Sequence, residues 1–289
     1  MQSKLISESE IQEMLQFTNV SHAAAWLKRT PEYAKAWADL DENSLHRGQI
    51  EKLLKASIFK DFSKIYQFAN PEQRKFLDLY SRRYEIRVLK EIMTNLFDHK
   101  STDTVDVSPY CDFFRRHSKL DLDRLTACTT MDEFINTLKG NEFYVPLSRI
   151  QNHDTALLFD YGMALDLYYF SMIWNVRKKL FSGKDLEQIT TAYGEKFDML
   201  NLQFISRSKR YFSMAPADIY ALLIPMNYKL KKEEITALVE ASTREEAQQI
   251  FRKTYYGKKY DHLSAHNLEE FYNYMLRTTL EKASRKDPY

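Results

Sequence analysis

Two histidines near the end of the sequence have the spacing that metal ligands need on a helix. His262 and His266 stand four residues apart, with Asp261 and Glu269 nearby, so these side chains could share one helix face. An exposed, polar start of a helix after a loop would show the same residue types. An exposed helix start needs no metal ion. We favour this interpretation and therefore assign no metal ligand.

Other patterns that carry chemistry are missing from the sequence. It has neither a GxGxxG loop nor a GxxxxGK[ST] loop, so we do not expect it to bind a nucleotide. Its serine, histidine and acidic residues lack the tight glycine context of a nucleophile elbow. We predict no catalytic residue and no cofactor.

Acidic residues occupy matching places in two long periodic stretches. Asp198 precedes Asn201 by three residues, and Glu85 precedes Val88 by the same spacing, so each pair lies on one face of a predicted helix. A buried carboxylate needs a partner. We expect a Lys or Arg from a neighbouring helix, which would fix how the long helices cross. A solvated acidic position is the alternative, and the sequence does not separate the two.

A run of cations follows the second acidic residue. Arg207, Lys209 and Arg210 stand beside Tyr211 and Phe212, a mixture that can also bind nucleic acid by stacking. However, 42 basic and 40 acidic residues leave a net charge of only +2. Cations are also favoured at the C-terminal end of a helix, where they offset the helix dipole. We predict no nucleic-acid partner.

The hydrophobic pattern of the sequence repeats. One four-residue pattern occurs three times, at offsets of 111 and then 113 residues: Ile11, Met14, Ala23, Leu27; Leu122, Leu125, Phe134, Leu138; Ile235, Leu238, Ala247, Phe251. Each copy contains a hydroxyl residue expected to cap a helix: Thr18, Thr129 and Ser242. The pattern from Glu85 to Ile92 recurs from Asp198 to Ile205. Such a period indicates related structural units, and we place them at 1–115, 116–228 and 229–289, the third incomplete.

Composition predicts that these units are all-α. Six Gly and seven Pro in 289 residues leave little material for tight turns. Helical periodicity predicts long helices over 49–69, 72–97, 154–181, 186–212 and 266–284, and short ones over 8–16, 21–27, 120–127, 131–140, 231–240 and 243–255. No apolar stretch approaches the roughly 18 residues of a membrane span. The two cysteines, Cys111 and Cys128, fit neither a zinc spacing nor a disulfide framework, which favours a reducing compartment.

Several of these motifs resemble one protein family. The stretch 194–202, followed by Ile205, Arg207 and Lys209, is similar to the acidic-x-x-Asn…Ile-x-Arg-x-Lys signature of the rotary V/A-type ATPase central-stalk subunit. It is known as the C subunit in archaeal and bacterial complexes and as the d subunit in the eukaryotic one. The stretch 84–90, with Glu85 and Arg87, resembles the same signature but has Val88 at the Asn position. The stretches 222–230 and 241–247 are similar to the family's entry into its third unit.

The resemblance implies a non-catalytic rotor subunit with three units in a pseudo-threefold funnel. It would lie peripherally on the cytoplasmic face of the membrane, between the proteolipid ring and the central-shaft subunits. There it would transmit torque for ATP-coupled proton or sodium transport. The motif residues would be structural or interface positions: Glu85, Arg87, Asp198, Asn201, Arg207 and Lys209. A further hypothesis places Arg207 and Lys209 near anionic lipid or partner carboxylates.

Some features depart from the family pattern, and other functions stay open. The resemblance implies a further N-terminal segment and a final helix with another acidic-x-x-Asn motif, which this sequence does not contain. A generic helical-repeat scaffold without a rotary role is the alternative function. A helical enzyme or a nucleic-acid-binding protein is a third, and it would require a cluster of polar residues in a pocket. The choice of ion and the direction of the reaction are not encoded in this chain.

Overall fold

A computed structural model shows that the chain is helical. The structure describes residues 6–37, 41, 45–99, 107, 111–151, 156–260 and 268–286. Within these residues it forms sixteen helices: α1 (Glu8–Met14), α2 (Val20–Arg29), α3 (Pro31–Trp37), α4 (Arg47–Phe68), α5 (Pro71–Phe97), α6 (Cys111–His117), α7 (Leu122–Thr126), α8 (Met131–Thr137), α9 (Tyr144–Gln151), α10 (Leu158–Leu180), α11 (Gly183–Tyr211), α12 (Pro216–Leu222), α13 (Lys232–Glu240), α14 (Arg244–Lys253), α15 (Tyr255–Tyr260) and α16 (Leu268–Lys286). The described residues contain no β-strand.

The all-α prediction is confirmed, and all five long predicted helices are present as α4, α5, α10, α11 and α16. The boundaries differ by a few residues, most at the start of α10, which begins at Leu158. Gly183 starts α11 with a φ of 52°, a left-handed conformation that glycine adopts without strain. It lies at the junction between two long helices, α10 and α11. The residue types over 100–109 indicate a polar connector between α5 and α6, and this stretch lies outside the described residues, apart from residue 107.

The helix caps repeat with the offset of the sequence pattern, but each lies one residue later than predicted. Asn19 caps α2 and Thr243 caps α14, while the Thr130 hydroxyl accepts from the Glu133 N–H, 3.2 Å away, at the start of α8. The predicted caps Thr129 and Ser242 instead donate their main-chain N–H groups to glutamates, Glu133 and Glu246 respectively, at 2.9 and 2.7 Å. These bonds satisfy donors that a helix start leaves free.

The described chain divides into two compact units. The first comprises Met1–Arg74 and Asn95–Thr137. One core in this unit joins Ala24 and Leu27 of α2 to Trp37 and Ile50. A second group consists of aromatic rings, in which Phe113 contacts Phe62 edge-on at 4.9 Å between ring centroids. Burial of such apolar faces stabilises short amphipathic helices that would be marginal alone.

The second unit comprises Lys75–Thr94 and Leu138–Tyr289. Its main core gathers buried side chains from α11, α12, α13, α15, α16 and the loop between α12 and α13: Met199, Leu202, Ile205, Ile219, Leu230, Ile235, Leu238, Val239, Tyr256, Phe271 and Met275. The two compact units are defined by contacts between residues, whereas the three sequence units at 1–115, 116–228 and 229–289 are defined by a repeated pattern. The compact units therefore do not test the repeats, which stay a prediction. The pseudo-threefold funnel likewise stays a prediction.

None of the described helices combines the length and the apolar character needed to cross a membrane.

Candidate functional site

The family-like motif lies in the middle of α11, where many side chains are buried. Ten residues of this helix are buried, and they include the polar side chains of Glu195, Asp198 and Asn201. Polar groups at such positions require hydrogen-bond partners. Their partners therefore show what the motif does.

Asp198 is 0% exposed and accepts hydrogen bonds from four donors. Three are consecutive main-chain N–H groups in the loop between α12 and α13: Tyr228 at 3.0 Å, Lys229 at 2.6 Å and Leu230 at 2.9 Å. The fourth is the hydroxyl of Tyr256 on α15, at 2.8 Å. One carboxylate thus holds a loop and a helix against α11.

Asn201 binds the same loop one helical turn further along. Its amide nitrogen donates to the Ile224 carbonyl at 3.0 Å, and its amide oxygen accepts from the Ile224 N–H at 2.9 Å. The side chain therefore bonds both main-chain groups of a single residue, as a neighbouring β-strand would. We call the two motif residues and the loop 223–231 that they bind the α11 clasp.

Close packing accompanies these hydrogen bonds. Gly194 lies one turn before Asp198, and a Cβ atom at this position would be 2.4 Å from Cγ of Tyr228. Glycine is therefore required for the Tyr228 ring to approach the α11 backbone. The neighbouring Glu195 accepts a hydrogen bond from the Thr279 hydroxyl of α16 at 2.7 Å. Consequently α16 is also tied to this part of α11.

Two opposing effects act on the Asp198 carboxyl. Burial raises its pKa above the ordinary value, because the charged form loses contact with water. The four donated hydrogen bonds oppose this rise by stabilising the carboxylate. Burial and the adjacent Asp198 charge together raise the pKa of Tyr256, which keeps its hydroxyl protonated as a donor.

The two motif cations have different environments. Lys209, near the C-terminal end of α11, donates from Nζ to the carbonyl oxygens of Val239 and Ala241, each at 2.5 Å. Both carbonyls lie at the end of α13, where a cation satisfies groups that the helix leaves unbonded. Arg207 is exposed. The structure thus uses Lys209 to hold α13 against α11.

Glu85, the counterpart of Asp198 in α5, is 1% exposed. Nη1 of Arg82 in the same helix donates to it at 2.9 Å, while Nε of Arg82 is 2.7 Å from Glu142. Glu142 in turn accepts from the Tyr168 hydroxyl at 2.8 Å. Arg87 is exposed. The polar network around Glu85 therefore connects α5 to α10 through Glu142, which precedes α9.

The expected kind of partner is wrong for Asp198. Its donors are main-chain amides and a tyrosine, and not a Lys or Arg from another helix. Glu85 does bind an arginine, but that arginine lies three residues away in the same helix. The alternative of a solvated acid is wrong for both positions, because both carboxyl side chains are buried.

Metal ions need clusters of His, Cys, Asp or Glu ligands. Among the described side chains, no group of three or more such residues could hold a metal ion. His262, His266 and Asp261 lie outside the described residues, as does the side chain of Glu269. Cys128 is a buried free thiol. The α11 clasp itself presents donors and acceptors that are already bonded to each other, so its role is to position helices.

These features define a class: an all-helical protein in which a buried polar motif joins neighbouring helices. The family model for the ATP synthase (C/AC39) subunit matches residues 1–289, and the chain belongs to this family. The chain is also 21% identical, over 243 residues, to the C subunit of the A-type ATP synthase of Methanothermobacter thermautotrophicus. The match covers 82% of this chain and 59% of that relative, so the chain spans less than two thirds of the relative's length.

Proposed function

We propose that the chain is a non-catalytic rotor subunit of a V/A-type ATPase, linking the membrane proteolipid ring to the central-shaft subunits. In this role it transmits torque between ATP chemistry elsewhere in the complex and transport of protons or sodium ions. The observation that carries the proposal is the match of the C/AC39 subunit family over residues 1–289. The name of the archaeal relative, the C subunit of an A-type ATP synthase, agrees with it.

The interior of the second unit supports a mechanical function. A part that transmits torque must resist twisting, and buried polar groups that are fully hydrogen-bonded restrict a structure to one arrangement. The α11 clasp ties α11 to the loop before α13 and to α15 through Asp198 and Asn201. Lys209 fixes α13, and Thr279 fixes α16. A rotor role is thus consistent with these linked helices.

The proposal also includes place and partners. The subunit lies peripherally on the cytoplasmic face of the membrane, in contact with the ring on one side and with the shaft on the other. It binds neither a cofactor nor nucleic acid, and the motif residues that are exposed, Arg87 and Arg207, are candidates for contact with these partners.

Binding measurements test this role directly. Tagged, folded chain is incubated separately with purified central-shaft subunits and with detergent-solubilised proteolipid ring. We expect saturable binding to both, and excess untagged chain should displace the tagged one. Binding to neither partner by a sample with native helix content would contradict the proposal and favour the generic helical-scaffold function.

A further inference from the structure

Basic and aromatic residues alternate in two short stretches of the second unit. The first, 228–232, covers the end of the loop before α13 and the first residue of that helix, and it reads YKLKK. The second, 252–259, covers the end of α14 and most of α15, and it reads RKTYYGKK. Neither stretch contains an acidic residue. Together they hold seven cations: Lys229, Lys231, Lys232, Arg252, Lys253, Lys258 and Lys259.

One tyrosine ring brings the two stretches together. Nζ of Lys259 is 4.4 Å from the ring centre of Tyr255, and Nζ of Lys229 is 5.8 Å from the same ring centre. Nζ of Lys229 also lies 4.8 Å from the ring centre of Tyr228. Cations beside ring faces are stabilised by the ring quadrupole and keep their charge. We call the surface formed by these two lysines and two tyrosines the basic patch.

The α11 clasp fixes the backbone on both sides of the basic patch. The buried Asp198 carboxylate accepts hydrogen bonds from the main-chain N–H groups of Tyr228 and Lys229. It also accepts from the hydroxyl of Tyr256, the residue that follows Tyr255. The two stretches are therefore held to one carboxylate, and the backbone of the patch is in place before any partner binds.

The positive charge of this region is not neutralised by the described part of the chain. Within it, none of the seven cations forms an ion pair. Six of them are exposed and Lys259 is partly exposed. Of the two acids that follow Lys232, Glu234 accepts from the main-chain N–H of Lys231 at 2.8 Å, and Glu233 is exposed. An anionic partner would therefore meet cations that have no competing ion pair.

We propose that the basic patch binds the anionic headgroups of a lipid membrane surface. Clusters of about four to eight Lys or Arg residues are typical of surfaces that bind anionic lipid. Tyrosine rings are enriched where headgroups meet water, because the ring is apolar and its hydroxyl is polar. Tyr228 and Tyr255 are both partly exposed beside the lysines, so the basic patch combines the two features.

The choice of cation favours lipid headgroups over an acidic polypeptide. Six of the seven cations are lysines. Arginine, whose planar guanidinium binds a carboxylate through two hydrogen bonds, is enriched in protein interfaces, whereas lysine is depleted there. An ammonium group on a flexible stem suits headgroups that move within the plane of a membrane, because it needs no fixed bidentate geometry.

The inference deepens the proposed function, since a subunit that lies peripherally on a membrane is within reach of lipid headgroups. Sedimentation of the full chain with two kinds of vesicle tests it: phosphatidylcholine alone, and phosphatidylcholine mixed with phosphatidylserine. We expect binding to the anionic vesicles and not to the neutral ones. Added sodium chloride should weaken this binding, because salt screens attraction between exposed charges.

A pair of matched variants locates the binding surface. Lys229→Gln combined with Lys259→Gln should weaken binding to the anionic vesicles about tenfold or more, because two charges leave the basic patch. The control combines Lys139→Gln with Lys184→Gln, which removes two exposed lysines of the same compact unit outside the two stretches. The control should bind the vesicles nearly like wild type. Circular dichroism verifies that both variants keep the native helix content.

Three outcomes would overturn the inference. In the first, the chain binds neutral and anionic vesicles equally, or binds neither. In the second, the patch variant and the control lose the same amount of binding, so that only net charge matters. In the third, soluble polyglutamate binds the chain more tightly than anionic vesicles do and loses this binding in the patch variant, which makes an acidic polypeptide the occupant.

The vesicle experiment is independent of the binding measurements with ring and shaft. The vesicles contain neither partner, so their result depends on the basic patch alone. Failure of the wild-type chain to bind ring and shaft would contradict the proposed function, whereas failure to bind anionic vesicles would contradict only the inference about lipid.

Discussion

Asp198 concentrates four hydrogen-bond donors on a single buried carboxylate, and three of them are main-chain N–H groups of one loop. Removal of the carboxylate would leave these main-chain donors without their acceptor, and the N–H of Leu230 belongs to a residue that is only 1% exposed. Asp198 thus stabilises the fold mainly by accepting hydrogen bonds from these donors. Its charge alone does not explain its position.

We expect Asp198→Ala to lower the free energy of unfolding by about 3–5 kcal/mol, since a buried donor without a partner costs about 1–3 kcal/mol. Urea denaturation followed by circular dichroism measures the change. Glu187→Ala is the matched control, because it removes an exposed acid from the same helix and should change stability by less than about 0.5 kcal/mol. Equal effects of the two substitutions would contradict the role of the clasp.

Lys196 predicts a pH dependence of stability. Its pKa falls from the ordinary value of a lysine to about 8 in the folded chain, mainly because of burial. The folded chain binds the Lys196 proton less tightly than the unfolded chain, so the neutral form of this lysine favours folding. This contribution to stability is lost as the pH falls through about 8. We expect the free energy of unfolding to rise by roughly 1–2 kcal/mol between about pH 7 and 9.5, below the range where tyrosines ionise.

Lys196→Met should remove this rise and should be more stable than wild type at neutral pH, because no charge is then buried. Denaturation curves of both proteins across the same pH range provide the measurement. Lys184→Met, at an exposed position of the same helix, should keep the wild-type pH dependence. A parallel rise in wild type and in Lys196→Met would show that other groups cause it.

At the same scale, the sequence located the motif residues but did not identify their partners. Asp198 and Glu85 stand out by residue type and recurrence, Asn201 by its spacing from Asp198, and all three prove to be buried. The main-chain donors of Tyr228 to Leu230 could not be inferred, because every non-proline residue carries an N–H group and sequence does not mark which one meets Asp198.

At the scale of elements, two helix-interior glycines have opposite expected responses to a methyl group. Gly194→Ala should destabilise the chain by about 1–3 kcal/mol, because the new Cβ would lie 2.4 Å from Cγ of Tyr228 and force the α11 clasp apart. Gly162→Ala in α10 should stabilise it by roughly 0.5–1 kcal/mol, because alanine favours helices and the Cβ would meet Lys90 at an ordinary 3.7 Å.

Thermal denaturation of the two alanine variants distinguishes local packing from helix propensity. Propensity alone would raise the stability of both, so a stable Gly194→Ala would show that α11 and Tyr228 do not approach each other closely. Because both changes add one methyl group to a long helix, each variant serves as the control for the other.

The long helices were predictable from periodicity, but several short ones were not. The sequence did not indicate α3, α6, α9, α12 and α15 as separate helices. Each has at most eight residues, about two turns, so a hydrophobic period is weak in it. The equally short α1, α7 and α8 were predictable because they lie in the repeated pattern. Pro31 and Pro216 begin α3 and α12, a position that proline favours because the first helical N–H needs no partner. The sequence therefore did contain a start signal for α3 and α12, whereas tertiary packing decides whether α6, α9 and α15 form.

For the whole molecule, the distribution of buried groups predicts which segment resists local unfolding most strongly. Local opening is costly where apolar burial and enclosed hydrogen bonds are dense. The centre of α11 has both, whereas α1 has no buried residue. A coupling subunit needs such a resistant interior, because torque that is absorbed by local opening is not transmitted.

Hydrogen exchange followed by mass spectrometry tests this order. We expect the amides of α11 to exchange slowest and those of α1 fastest. The amides of Tyr228, Lys229 and Leu230 are the sharper case, because loop amides usually exchange quickly but these three donate to buried Asp198. They should be protected in wild type and in Glu187→Ala. Asp198→Ala should expose them while α2, in the other compact unit, keeps its wild-type rate. Rapid exchange of this loop in the wild-type chain would contradict the α11 clasp, and with it the structural support for a torsionally stiff rotor part.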